Sequence, residues 1–233
     1  MGVFRFKQFE VDQEGCAMRI NTDGVLLGAM VHQNNPKQVL DIGTGTGVIA
    51  LMLAQRFTEA EIIAVEKDES SAQTADSNFK NSVFSERLTC VHQDFLDFET
   101  NIKFDLIISN PPFFIKDLKN PDVRKGIARH TDLTFFEQLV LKSVKMLSEN
   151  GQIALVLPLQ QAEVIHLLFE KEGFFRVRSI DICSFKDKDP FRRIVSYSKI
   201  EAEEQKTEFI VYDTAGVHSD QYRQVLKEFF IAF

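Results

Sequence analysis

The stretch Asp41-Ile42-Gly43-Thr44-Gly45-Thr46-Gly47 constrains this chain most, because it stands between the apolar pair Val39-Leu40 and a helical apolar pattern that begins at Val48. That order predicts a strand, a glycine turn and a helix. Three glycines at alternate positions let the backbone turn sharply and leave no Cβ where a ligand lies against the main chain. A turn that binds nothing needs only one of them. The dinucleotide fingerprint G-x-G-x-x-G places two residues before its third glycine. Here only Thr46 intervenes, and the acidic Asp41 precedes the first glycine.

The rest of the pattern alternates strands and helices, which predicts an α/β fold built from βαβ units. Ile62-Ile63-Ala64-Val65 reads as a fully apolar strand of a sheet covered on both faces, with Glu66 closing it. A helix from Ser70 to about Val83 carries the stripe Ala72, Ala75, Phe79 and Val83. Leu88 to His92 and Phe104 to Ser109 supply the next strands, ending at Asp94 and Asn110. The segment from Phe113 to Leu133 reads as a mobile loop, and Thr134-Phe135-Phe136-Glu137 as a capping box opening a helix that Asn150-Gly151 stops. Strands at Ile153–Leu157, Phe175–Cys183 and Phe191–Ile200 follow, the last two as an antiparallel hairpin at the sheet edge. Glu208–Tyr212 can add a strand, and Ser219 can cap a final helix. At the N-terminus, Phe4–Val11 and Ala17–Ile20 flank the turn Gln13-Glu14-Gly15 as a hairpin, and Thr22 is placed to cap a buried helix through Val25, Leu26 and Leu27.

At 233 residues the pattern fits a single domain, with residues 1–35 forming the N-terminal hairpin and helix and residues 36–233 the ligand-binding and catalytic core. The longest unbroken apolar run, Val48–Ala54, is too short to span a bilayer, and no signal-peptide core is present, so a cytoplasmic protein is expected. Cys16, Cys90 and Cys183 are widely spaced, which predicts reduced thiols and no metal site. A formal charge of −7 does not advertise a nucleic-acid binder, although a local basic patch can override net charge.

Candidate site residues collect at the ends of the predicted strands, where ligands of doubly wound sheets bind. Glu66, 19 positions beyond Gly47, is placed to accept hydrogen bonds from ribose hydroxyls. Asp94 is placed to accept from an exocyclic adenine amine with Phe95 packing on the ring, and Asp97 competes for that role. Asp41 is expected to act electrostatically. Asn110-Pro111-Pro112-Phe113 suits an amine conjugated to an aromatic ring, whose delocalised lone pair makes it a poor nucleophile. If the Asn110 side-chain oxygen and the Pro111 carbonyl accept its two hydrogens, the nitrogen pyramidalises and its lone pair is aimed. The prolines hold the carbonyl rigidly without competing N–H groups, and Phe113 is free to stack on the base.

The glycine loop resembles motif I of the S-adenosylmethionine (SAM) dependent methyltransferases, and the tetrapeptide resembles the N-P-P-[Y/F/W] motif of those acting on planar nitrogens. Together with Phe6-Lys7-Gln8-Phe9, Ile20-Asn21-Thr22-Asp23-Gly24-Val25-Leu26-Leu27 and Phe114, the arrangement resembles the bacterial tRNA1(Val) adenine-N6-methyltransferase family over almost the whole chain. The resemblance implies the class I methyltransferase fold: a seven-stranded, mostly parallel sheet in the order 3-2-1-4-5-7-6 with an antiparallel edge hairpin. It implies SAM as cofactor, bound by Thr22, Asp23, Asp41, Gly43, Thr44, Gly45, Gly47, Glu66, Asp94 and Phe95. It further implies that Asn110, Pro111, Pro112 and Phe113 carry catalysis and that the partner is the anticodon stem-loop of tRNA. Arg124, Lys125, Arg129 and His130, with Lys186, Lys188, Arg192 and Arg193, are candidate phosphate contacts, and a monomer is the favoured state. Three rivals carry part of the same signature: rRNA guanine-N2-methyltransferases, protein-glutamine N5-methyltransferases, and a non-catalytic SAM-binding RNA chaperone. The single domain disfavours the guanine enzymes, the Phe113 spelling and the N-terminal hairpin disfavour the glutamine enzymes, and the intact Asn110 disfavours the chaperone.

Overall fold

The computed structural model describes residues 2–16, 18–112 and 124–233, with the side chains of 124–132 also outside the description. Its main sheet starts from β3 (Gln38–Ile42), which pairs in parallel with β4 (Glu61–Glu66) on one side and β6 (Phe104–Ser109) on the other. Beyond β4 lies β5 (Leu88–His92). Beyond β6 lies β7 (Leu147–Leu157), both again parallel. β8 (Phe175–Cys183) and β9 (Arg192–Ser198) are antiparallel to each other, and β9 inserts between β8 and β7. The outermost strand is β10 (Gln205–Ile210), parallel to β8.

The resulting order, β10-β8-β9-β7-β6-β3-β4-β5, contains the expected seven strands in the expected sequence plus one. The expected hairpin therefore exists but does not form the edge, because β10 covers it. The extra strand satisfies the outward N–H and C=O groups of β8 that an edge would leave open.

Side chains alternate across this sheet and feed two cores. Val39, Leu106, Ile108, Ala154 and Val156 point to the face covered by α1 (Thr22–Met30), α2 (Val48–Arg56), α3 (Glu69–Lys80) and α6 (Asp220–Leu226). Leu40, Ile42, Ile107, Ile153 and Leu155 point to the face covered by α4 (Arg124–Met146) and α5 (Leu159–Lys171). Burial on both faces is why the strands read as continuous apolar runs.

Several local expectations shift. The N-terminal pairing is β1 (Phe4–Arg5) with β2 (Glu10–Val11), so the chain turns before the Gln13-Glu14-Gly15 stretch; Ala17 lies outside the described residues. Asn21 caps α1, its side chain accepting from the Gly24 N–H at 2.9 Å, and Thr22 is the first helical residue. α3 stops at Lys80, leaving Val83 exposed beyond the apolar stripe. α4 is already helical from Arg124, so Thr134 is interior and the Thr134–Glu137 box does not open the helix. The loop expected from Phe113 falls outside the described residues as far as 123. Asn150-Gly151 does not stop that helix; it lies within β7, where the register with β6 slips and a Cβ on Gly151 would meet the Phe104 carbonyl oxygen at 2.7 Å. Ser219 does cap α6, accepting from the Tyr222 N–H at 3.0 Å.

Gly47 joins the glycine turn to α2 in the left-handed region, with φ 81°. A Cβ there would stand 2.5 Å from the Phe79 ring. Left-handed backbone costs a non-glycine residue about 1–2 kcal/mol and overpacking about 1–3 more. Gly47→Ala should therefore lower the unfolding free energy by about 2–5 kcal/mol in urea titration, and a midpoint indistinguishable from the parent would refute this packing role.

Candidate active site

A cavity of about 330 Å³ opens at the carboxyl ends of β3, β4, β5 and β6. β3 is the strand from which the crossovers run in opposite directions, the place where doubly wound sheets bind ligands. Larger surface clefts, such as one of about 660 Å³ bordered by Glu99 and Lys145, lie away from these strand ends.

The glycine turn forms the floor. Gly43 (φ 70°) and Gly45 (φ 57°) both hold left-handed backbone, and a Cβ built on either meets nothing within 4 Å. The protein itself leaves that space open. The turn is fastened to β4: the N–H groups of Gly43 and Thr44 donate to the Val65 carbonyl at 2.8 and 3.3 Å. Glu66 completes the fastening, its Oε2 accepting from the Gly45 N–H and its Oε1 from the Asp68 N–H, each at 2.9 Å. Each carboxylate oxygen keeps a lone pair for a ligand hydroxyl. Asp68 in turn caps α3 by accepting from the Ser71 N–H at 2.8 Å, which fixes the strand-to-helix corner.

Asp41 is fully buried beneath this turn. One of its oxygens accepts from the Thr44 hydroxyl at 2.6 Å, while Oδ1 has no partner among the described residues. Burial pushes its carboxyl up from 3.8 to about 7; Glu66 nearby pushes the same way, and the Thr44 hydrogen bond opposes both. At the end of β5, Asp94 and Phe95 line the cavity, with Asp94 Oδ1 accepting from the Leu96 N–H at 2.9 Å. Asp97 is not among the lining residues.

The fourth wall is Asn110-Pro111-Pro112. Ser109 Oγ donates to the Ile42 carbonyl at 2.8 Å and so pins the end of β6 to the end of β3. Asn110 then stands beside α1, its Nδ2 only 3.6 Å from where a Gly24 Cβ would be. Its Oδ1 is buried without a partner among the described residues. A buried amide oxygen left without a donor costs about 1–3 kcal/mol. Phe113 lies outside the described residues.

Not every expected residue reaches the cavity. Thr22, Asp23, Asp41 and Gly47 are absent from its described lining; Asn21 and Gly24 take the place expected for Thr22 and Asp23. Asp23 accepts from Arg192 Nε at 2.7 Å, so Arg192 is engaged within the fold. Arg193 is buried and paired with Asp181 and Glu163, which removes it as an RNA contact. The side chains of Arg124, Lys125, Arg129 and His130 lie outside the described residues. Met18, Ile20 and Phe135, which sequence reasoning passed over, all line the cavity. Only Asn21 and Gly24 carried a legible signal, as a cap residue followed by a glycine.

Residues 16–176 match the family model of the methyltransferase small domain. The chain belongs to that family. Among its relatives, the tRNA1(Val) (adenine(37)-N6)-methyltransferase of Pedobacter heparinus is 49% identical, covering 99% of this chain and 98% of its own. A protein of the same name from Actinobacillus pleuropneumoniae is 36% identical, covering 98% and 97%. A predicted O-methyltransferase from Agrobacterium tumefaciens shares the fold at a TM-score of 0.70 and 17% identity, over 89% of this chain and 96% of its own. A methyltransferase from Pyrococcus furiosus does so at 0.57 and 21%, over 80% and 90%. The fold is that of the class I methyltransferases, and the methyl donor is SAM. The open space over Gly43 and Gly45, and the Glu66 carboxylate fixed at the strand end, suit that donor.

Because Asp41 binds its proton more tightly folded than unfolded, the unfolded chain ionises first as pH rises from about 4 to about 7. Its contribution to stability falls across that window and is level above it. Asp41→Asn should abolish this fall, so that between pH 5 and pH 8 the parent loses about 2–3 kcal/mol of unfolding free energy relative to the variant. Parallel stability curves from urea titrations would contradict the buried, protonated carboxyl.

Proposed function

We propose that this chain transfers a methyl group from SAM to the exocyclic N6 of adenine 37, immediately 3′ of the anticodon, in tRNA1(Val). Asn110 carries the reading: its amide oxygen, at the end of β6 and in the cavity lining with the glycine turn, is buried with no partner among the described residues. The relatives that share nearly the full length of the chain support the RNA substrate. The reading also takes residues 1–233 as one catalytic unit working in the cytoplasm.

When bound, SAM supplies an electrophilic methyl group on a positively charged sulfur. Gly43 and Gly45 leave room for the donor against the main chain, Glu66 holds its ribose hydroxyls, and Asp94 with Phe95 receives its adenine. Asp41, below the turn, offers a carboxylate whose ionised form a nearby positive charge favours. Asn110 Oδ1 and the Pro111 carbonyl accept the two hydrogens of the target amine. That directs the nitrogen lone pair out of the ring plane and along the line of attack. No general base is required, because the amine proton becomes acidic once the nitrogen carries the methyl group and departs to solvent. Pro111 is buried and lacks an N–H, so the carbonyl keeps its direction and no competing donor approaches. An unpaired adenine extruded from the anticodon loop presents this amine, and stacking completes its recognition.

Single-turnover methylation tests the assignment. Asn110→Ala should bind SAM with near-normal affinity in calorimetry and lose on the order of a hundredfold in rate with saturating RNA; a rate like the parent's excludes the planar-amine mechanism. Unmodified tRNA1(Val) transcripts should accept a methyl group, and transcripts with guanine at position 37 should not, since guanine presents a carbonyl where adenine presents its amine. Methylation of rRNA or of a glutamine-bearing peptide in place of tRNA would overturn the substrate and leave the methyltransferase standing.

A further inference from the structure

Asn78 occupies an unexpected place on α3. It follows Ala75 and precedes Phe79 on the buried stripe, at a position where helical spacing calls for an apolar residue, and it is only 4% exposed. Its amide meets three backbone groups: Oδ1 accepts from the Asp12 N–H, and Nδ2 donates to the Asp12 and Thr46 carbonyls, each at 2.9 Å. Both donor hydrogens are used. Thr46 belongs to the glycine turn and lines the cavity. Asp12 opens the segment that leads from β2 to α1.

That segment is held along its length. Thr74 Oγ1, one turn before Asn78 on the same helix, donates to the Glu14 carbonyl at 2.7 Å, and the Ile20 N–H donates to Gln13 Oε1 at 3.0 Å. Met18, Arg19, Ile20 and Asn21 then form one wall of the cavity opposite the turn. The glycine turn and the segment that leads to the second wall thus meet at one side chain. An apolar residue at 78 would fill the volume but leave a donor and two acceptors buried without partners, which would loosen both walls together.

We propose that Asn78 is a positioning residue of the methyl-transfer site, setting the N-terminal segment against the glycine turn so that the donor meets both walls at once. The inference rests on reading the cavity as the SAM site. It makes SAM binding and the ordering of residues 12–21 interdependent, because a ligand that stabilises the turn also holds Thr46 for Asn78, and through it Asp12.

Asn78→Leu keeps the side-chain shape and removes all three hydrogen bonds. SAM affinity by calorimetry should fall about tenfold or more, while the single-turnover rate at saturating SAM and RNA stays within about threefold of the parent. A purely structural role would lower the melting temperature and leave SAM affinity unmoved, and that result overturns the proposal. Thr74→Val covers the case in which Asn78→Leu does not fold. It removes the Thr74 hydroxyl's bonds to the 12–21 segment, at the Glu14 carbonyl and the Cys16 thiol, and leaves Asn78 in place. It should weaken SAM about threefold with little change in melting temperature; unchanged affinity there overturns the proposal equally. Failure of the parent to bind SAM would remove the cofactor reading, and hydrogen exchange without ligand then decides the coupling. Faster exchange in Asn78→Leu, or in Thr74→Val where that variant does not fold, at both 13–20 and 43–47 supports it. A change confined to one of the two overturns it.

Discussion

The hydrogen bonds from Gly45 and Asp68 to the Glu66 carboxylate hold this site together. Glu66 ends β4, Gly45 sits in the turn after β3, and Asp68 caps α3, so one buried carboxylate fixes three elements at once. A charge-assisted bond to a backbone N–H is worth about twice a neutral one, and here two converge beside a turn whose glycines hold left-handed backbone and carry no side chains. Without that tie, the open space over Gly43 and Gly45 would have no fixed rim. The same side chain is the ribose acceptor of the proposed reading, so the group that shapes the cavity would also read its contents.

A second tie closes the site from the opposite side of the sheet. Ser109 fastens the end of β6 to the end of β3, and Asn110 follows it directly. α1 presents Gly24 toward Asn110, where a Cβ would stand in ordinary contact with the amide, while Asp23 reaches past it to Arg192 on β9. The N-terminal helix is thereby anchored to a strand that enters the sheet late in the chain. An amide oxygen held open for an amine needs this rigidity, since a mobile acceptor would find a neighbouring N–H and satisfy itself.

Sequence reasoning found the parts whose chemistry is local. The glycine turn, Glu66 at its strand end, Asp94 with Phe95, and Asn110-Pro111-Pro112 all stand where spacing and strand order placed them, because doubly wound sheets gather strand ends in one plane. It missed what depends on partners distant in sequence. Arg192 and Arg193 look like surface cations in a polar stretch, and only the insertion of β9 beside β8 gives Arg193 its Asp181. Thr134 satisfies the capping-box spelling, yet the helix begins at Arg124, and a local signal cannot report that helix precedes it. Asn78 was hidden by its own helix, where a polar residue among alanines passes for the solvent face until Asp12 is brought against it.

On the proposed reading, the burial of Arg193 bears on how an acidic protein would select a polyanion. With a formal charge of −7 and two of the expected cations, Arg192 and Arg193, bonded to Asp23 and Asp181, generic attraction to phosphate is a weak source of discrimination. The pocket is better suited to the task. Asn110 Oδ1, buried with no partner among the described residues, and the Pro111 carbonyl are both acceptors, so on the proposed reading a base presenting an amine satisfies them and a base presenting a carbonyl is repelled. Sites built around such unsatisfied groups reject the wrong partner far more strongly than apolar pockets do, by factors of about ten thousand where the mismatch is complete. Selectivity of that kind needs few phosphate contacts, only enough to present an unpaired base, and it resides in two atoms whose positions are set by Ser109 and the end of β3.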